Sequence, residues 1–266
     1  MRGRSLFCCV IAALFAVPVV HAQTEVVQVA PPPIRRAEPP APTASAEELE
    51  TRGDSMRAEK DYLDALDYYR VALAKTPNVA RIYNKIGIAE LQLQRYKEAR
   101  RDFEHAIRLD RTLADADNNL GVVFYKETKY NRAIKEYEKA IKLRSDVASY
   151  YSNLGAAYYL IKDWERATTA YGQALELDPD IFERTSHAGV TAQLPSPEER
   201  ARFDYVVAKL YAGRGDSDRS LLYLRRCMEE GYAGIGDVYK DPAFAGLRTD
   251  ARFTQLMAAR PPAIPE

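Results

Sequence analysis

Cysteine is scarce in this chain, and it falls in places that exclude a disulfide framework. Three cysteines occur in 266 residues, and two of them, Cys8 and Cys9, stand inside an N-terminal apolar stretch. With that stretch removed, Cys227 is alone and no intrachain bridge can form. Histidine is as rare: His21 lies at the end of the same stretch, and neither His105 nor His187 has a cysteine or carboxylate at metal-ligand spacing. No metal and no cofactor are therefore expected. Net charge is also lacking, since 38 basic and 38 acidic residues cancel and interleave. That excludes a basic stripe, and with it a nucleic-acid partner. Gly-rich phosphate loops are missing too, which leaves no small-molecule substrate in view. Ser186 beside His187 makes no hydrolase, because neighbours in sequence rarely face one another as nucleophile and base and no oxyanion loop accompanies them. No enzyme is expected.

One long apolar run exists, the fifteen residues from Leu6 to Val20, preceded by Arg2 and Arg4 and followed by Val20-His21-Ala22. A basic start, an apolar core and small residues at the cleavage positions predict a signal peptide over 1–22, cut after Ala22, and hence export to the periplasm or cell envelope. A retained anchor is the alternative, and only then would the membrane be a partner. The run is short for a span and Pro18 interrupts its end. Lipidation fits less well, because Cys8 and Cys9 sit at the start of the run. Residues 23–45 follow, with Pro31-Pro32-Pro33, Pro39-Pro40 and Pro42, and predict a disordered, extended linker.

What the rest of the chain has in abundance is one interval. Gly53, Gly87, Gly121 and Gly155 stand 34 residues apart. Each is followed at fixed offsets by an alanine (Ala65, Ala99, Ala133, Ala167), a ring (Tyr69, Phe103, Tyr137, Tyr171) and a second alanine (Ala72, Ala106, Ala140, Ala174). With the glycine at position 8, four units span 46–79, 80–113, 114–147 and 148–181. Each reads as two helices. In the third, Leu120, Val123 and Phe124 fall at helical spacing, then Ala133, Ile134, Tyr137, Ile141 and Leu143, with the polar break Glu127-Thr128-Lys129 between. Glycine at position 8 lets the two helices approach, positions 20 and 27 supply small facing residues, and the position-24 ring fills the wedge between units.

Past the fourth unit the interval falters. Gly189 continues it, but Leu194-Pro195-Ser196-Pro197 forbids a second helix, so 182–200 reads as irregular, with a new helix starting near Ser196 or Pro197. A degenerate unit occupies 201–234, with Cys227 in the small, buried slot of position 27. Residues 235–266 read as a cap and tail in which Phe244, Leu247, Phe253, Leu256 and Met257 cover the last pair.

The series Tyr83-Ile86-Gly87…Ala99…Phe103…Ala106 and Tyr151-Leu154-Gly155…Tyr158…Ala167…Tyr171…Ala174…Pro179 resembles the tetratricopeptide repeat (TPR) family, departing at position 4 of the first and third units, where Leu49 and Asp117 stand. The resemblance covers about half of the chain. It implies an all-α, right-handed TPR solenoid of antiparallel helix pairs with a C-terminal helical cap. It also implies a concave face lined by positions 2, 5, 6, 9, 12 and 13 of each first helix. Over the middle units those positions hold Asn84, Asn118 and Ser152, then Asn119 and Asn153, then Ile88 and Val122, then Tyr125 and Tyr159. Uncharged amides suit a peptide backbone, and tyrosine offers contact area with a polar handle. The expected function is a non-catalytic scaffold that binds an extended peptide or partner segment there, in envelope assembly. The asparagines equally suit a second role, steadying helix starts or neighbouring helices. The carboxylate clamp of chaperone-adaptor members is not expected, because only Asn119 matches it. A self-associating homo-oligomeric module, tethered by its Pro-rich segment, is the alternative.

Overall fold

The computed structural model describes residues 38–183 and 196–259. The signal segment, the linker up to residue 37, Ser186, His187, Gly189, Leu194, Pro195 and the tail from residue 260 lie outside the described residues. Among those described, every regular element is helical. Helices pair as α1 (Ala46–Ala58) with α2 (Tyr62–Lys75), α3 (Ala80–Gln92) with α4 (Tyr96–Leu109), and α5 (Ala114–Lys126) with α6 (Tyr130–Leu143). Two further pairs are α7 (Ala148–Leu160) with α8 (Trp164–Leu177), and α9 (Pro197–Gly213) with α10 (Ser217–Glu229). Three 3₁₀ turns, Ile235–Tyr239, Pro242–Phe244 and Leu247–Thr249, lead to α11 (Ala251–Ala259). The chain is a solenoid of antiparallel helix pairs. Among the described residues no helix is long and apolar enough to cross a membrane.

Local chemistry sets the helix ends. Ser45 caps α1 in a capping box with Glu48, each side chain bonding the other's backbone N–H. Ser196 caps α9 through the Glu199 N–H, with Pro197 at the first position and Glu198 and Glu199 in the first turn. Within every pair the first helix stops at position 15, where Lys60, Gln94, Thr128 and Lys162 adopt φ between 59° and 68°. The next N–H then reaches back to the position-11 carbonyl: Asp61 to Met56, Arg95 to Glu90, Lys129 to Phe124 and Asp163 to Tyr158, at 2.8–3.0 Å. This six-residue closure satisfies a carbonyl the helix leaves over.

The glycines do a more specific job than easing two helices together. A Cβ built on Gly53, Gly87, Gly121 or Gly155 would lie 2.5–2.6 Å from the position-24 ring of the same unit. Each ring packs directly against its own unit's glycine, and all four rings are buried. The fifth pair solves the same problem with other residues. Ala208 stands at position 8 and Leu224 at position 24, both fully buried. A methyl group added on one helix is matched by a smaller side chain on the other. Gly215, with φ +78°, holds position 15, and Asp216 N–H bonds the Tyr211 carbonyl at 3.0 Å. Ser220 Oγ donates to the Ala208 carbonyl at 2.9 Å.

Phe244, Leu247, Phe253, Leu256 and Met257 share one core with Tyr205, Leu224, Cys227 and Met228, so the 3₁₀ turns and α11 cover the last pair. Arg248 ties the turns down by donating to the carbonyls of Val238 and Asp241, both at 2.9 Å. At the other end the expected linker needs correction. Residues 38–45 are not a free spacer: Tyr68 donates to the Glu38 carbonyl at 2.9 Å, Lys75 to the Pro42 carbonyl at 2.7 Å, and Ala44 packs on the first core.

Candidate functional site

Positions 5 and 6 of the first helices share one face and are stitched across unit boundaries. Lys85 Nζ donates to Glu50 Oε1 at 2.7 Å, Asn119 Nδ2 to Asn84 Oδ1 at 3.0 Å, and Asn153 Nδ2 to Asn118 Oδ1 at 2.9 Å. Each rung spans 35 residues, from position 6 of one unit to position 5 of the unit before. Asn118 Nδ2 closes the gap to Asn119 Oδ1 at 3.3 Å, so four amides run in line from Asn153 to Asn84. The role of joining neighbouring helices is therefore real. Asn84, Asn118 and Asn153 are buried, and Asn119 alone of the four keeps a half-exposed side chain. Ile88, Val122 and Ser152 are also half-buried; the first two rest on the underlying core.

The tyrosines are placed differently from expectation. Tyr125 is 6% exposed and Tyr159 is 1% exposed, so neither offers the groove a broad face. Tyr159 is covered by the chain itself: its hydroxyl donates to the Glu199 carbonyl at 2.7 Å, and its ring meets Trp164 and Phe203 edge-on. α9 thus packs against Tyr159 through Glu199 and Phe203, a contact that spacing alone could not show. Tyr125 meets Tyr130 edge-on at 5.5 Å, and its hydroxyl has no hydrogen-bond partner among the described residues.

At its N-terminal end the face is charged and closed upon itself. Glu50 takes a forked pair of bonds from Arg81 besides the one from Lys85. Asp54 accepts from Lys85 at 2.6 Å and from the Tyr69 hydroxyl at 2.7 Å, and Arg57 Nε donates to that hydroxyl at 3.3 Å. Burial alone would raise the Glu50 and Asp54 carboxyls, but these donors outweigh it and hold both below their usual range. Glu50, Asp54, Arg57, Arg81 and Lys85 were not among the expected binding residues. The signal that finds them is opposite charge, Glu50 and Lys85, at the same 35-residue offset as the asparagines.

Elsewhere three carboxyls are held protonated more easily than usual. Glu90, 1% exposed, is pushed up to about 7 by burial and by the neighbouring Asp102 carboxyl, against the opposing pull of Arg70. Burial raises Asp117 to about 6, helped by Glu136, and Asp204 to about 7, helped by Glu230. His105 is half-buried, with its ring 4.2 Å from that of Tyr83 and Nδ1 3.1 Å from Arg108. Burial pushes the Cys227 thiol up to about 12, away from reactive thiolate chemistry. Among the described residues no group of three or more His, Cys, Asp or Glu side chains is placed to hold a metal ion.

The chain is similar to several known proteins. The family model for the tetratricopeptide repeat matches residues 46–112 and 112–180, just over half of the chain. A 65-residue stretch, 24% of this chain, is 35% identical to DnaJ homolog subfamily C member 7 of Mus musculus and spans 13% of that protein's length. The structure of MamA, residues 41 to the end, from Desulfovibrio magneticus RS-1 superposes with a TM-score of 0.49 at 19% identity, covering 70% of this chain and 94% of that one. YrrB, described as a TPR protein with an unusual peptide-binding site, superposes with a TM-score of 0.47 at 19% identity, covering 74% of this chain and 92% of that one.

Proposed function

Since the chain belongs to the tetratricopeptide repeat family, we propose that it is a non-catalytic interaction scaffold whose inner face grips an extended segment of a partner protein. The observation that carries this reading is the line of amides from Asn153 to Asn84 beside the apolar floor of Ile88 and Val122. Amides offer both donors and acceptors to a peptide backbone, and the chain as a whole carries no net charge that would demand a charged ligand. Asn119, half-exposed, is the amide an arriving peptide meets first. Export to the periplasm or envelope, and a role in assembly there, complete the proposal. The basic start, apolar core and Ala22 cleavage position support it.

The test is photo-crosslinking in the native envelope from a reactive residue placed at Ile88, compared with one at the exposed outer position Lys135. A partner captured from the groove alone, and lost on Asn119→Ala with unchanged helical content, is the expected result. Equal capture from both positions removes the groove from the proposal. N-terminal sequencing of the exported protein should begin at Gln23.

One observation favours self-association as a second reading. Leu109, Leu143 and Leu177, at position 30 of three successive units, are 38–44% exposed and form an apolar row. Light scattering across a concentration series decides it: a mass that stays monomeric at every concentration ends this reading.

A further inference from the structure

The exposed faces of α4, α6 and α8 repeat the same positions but not the same charge. Position 30 is a leucine in each, and Leu109, Leu143 and Leu177 are 38–44% exposed. The neighbour at position 29 changes sign along the row: Arg108, Lys142, then Glu176, all exposed. Arg108 lies 3.1 Å from the His105 ring nitrogen, and Lys142 has no ion-pair partner among the described residues. The second and third units thus each present a cation beside an aliphatic side chain.

At α8 the surface opens, and position 25 is the reason. In the third unit Glu138 fills that position and accepts from the Tyr158 hydroxyl of the next unit at 2.7 Å. In the fourth unit it is Gly172, which has no side chain to reach α9; a Cβ built there would still be 3.7 Å from Leu210. An open cleft of about 550 Å³ lies between the two helices. Trp164, Gly172 and Leu210 give it apolar walls, and Glu165 and Glu176 line it from exposed positions. Lys209, the one cation among its lining residues, is already held by Asp241 at 2.7 Å. Glu176 receives the amide of Gln173 at 3.1 Å, and Glu165 has no ion-pair partner among the described residues. The cleft therefore combines an apolar slot with two carboxylates that lack a cation.

We propose that this cleft docks a second copy of the chain, which inserts a leucine of its row, Leu109 or Leu143, and sets Arg108 and Lys142 against Glu165 and Glu176. The inference rests on the self-association reading above and deepens it by naming the two surfaces that meet. An exposed leucine entering an apolar slot takes both out of water, which favours the contact. The charges beside it are opposite in sign on the two copies, so they guide the approach and fix which row position enters. A cleft with unpaired carboxylates and a row with unpaired cations are what each copy offers the other.

Light scattering at low ionic strength, over a concentration series, compares wild type with two charge reversals, Arg108→Glu with Lys142→Glu, and Glu165→Lys with Glu176→Lys. All four positions are exposed, so both variants should keep the helical content of wild type. Wild type should rise above the monomer mass, and each reversal should need about tenfold more protein to do so. An equimolar mixture of the two reversals should regain wild-type association, because the reversed row of one now matches the reversed cleft of the other. If a reversal fails to fold, Glu165→Gln with Glu176→Gln tests the same cleft and should weaken association by less. Reversals that associate as well as wild type overturn the proposal and leave self-association standing. A mixture that stays monomeric also overturns it, since the losses would then not come from complementary surfaces. A wild type that stays monomeric throughout ends the self-association reading and the cleft's role with it, and sedimentation of that monomer with vesicles of anionic phospholipid would assign the cationic row to a membrane surface instead.

Discussion

Gly121 and Tyr137 are one decision made at two positions. The ring occupies the space a Cβ would need, 2.5 Å away, and Tyr137 is completely buried, so it cannot swing clear. Gly121→Ala gains helix propensity of roughly 0.5–1 kcal/mol but overpacks a full core, which typically costs about 1–3 kcal/mol. Urea denaturation should show a net loss of about 1–2 kcal/mol. The fifth pair supplies the remedy, since Ala208 is tolerated where Leu224 replaces the ring. Gly121→Ala should therefore cost less in a Tyr137→Leu background than in wild type, and a double-mutant cycle measures that coupling. Equal costs in the two backgrounds would show that ring and glycine do not share the space.

The element carries a turn that composition hides. At position 15 the backbone is left-handed in every pair, yet only Gly215 is a glycine. Thr128 is the most strained of these residues, because a β-branched side chain tolerates positive φ poorly. Thr128→Gly should stabilise by about 0.5–1 kcal/mol, the relief of roughly 1–2 kcal/mol of left-handed strain being partly offset by glycine's extra freedom in the unfolded chain. Thermal unfolding checks it, with a higher midpoint expected. This turn was not legible in advance, since Lys60, Gln94 and Lys162 carry no conformational signature and only the backbone closure to position 11 fixes them. The helix pairs were legible, because Gly121, Ala133, Tyr137 and Ala140 encode contacts inside one unit at fixed spacing. The inner face was half legible. Its asparagines stand out by type, but their bonds cross between units, and the covering of Tyr159 depends on where α9 lands after a segment with no periodicity.

Across the whole molecule, three carboxyls make stability depend on pH in an unusual direction. Glu90 and Asp204 titrate at about 7 in the fold against ordinary values of 4.5 and 3.8, and Asp117 at about 6 against 3.8. Raised values mean that the folded chain holds protons the unfolded chain has released. Their contribution is complete below the ordinary values and is lost as pH climbs through 6 to 7. Calorimetry should find a melting temperature that falls from about pH 5 to about pH 8, and Glu90→Gln should flatten that slope; an unchanged slope would acquit Glu90. The inner rungs carry a different consequence, about length. Each rung joins residues 35 apart, one more than the unit itself, so it closes only if the unit keeps its size. A gene coding for such a chain can gain or lose a whole unit and keep every rung, whereas a single codon inserted inside a unit breaks one. Change in length is thereby quantised, except at a boundary that no rung crosses. The starts of the fourth and fifth units are 53 residues apart rather than 34, and most of the surplus lies between Leu177 and Pro197; across that boundary Tyr159 grips α9 through a backbone carbonyl that asks nothing of the residue bearing it.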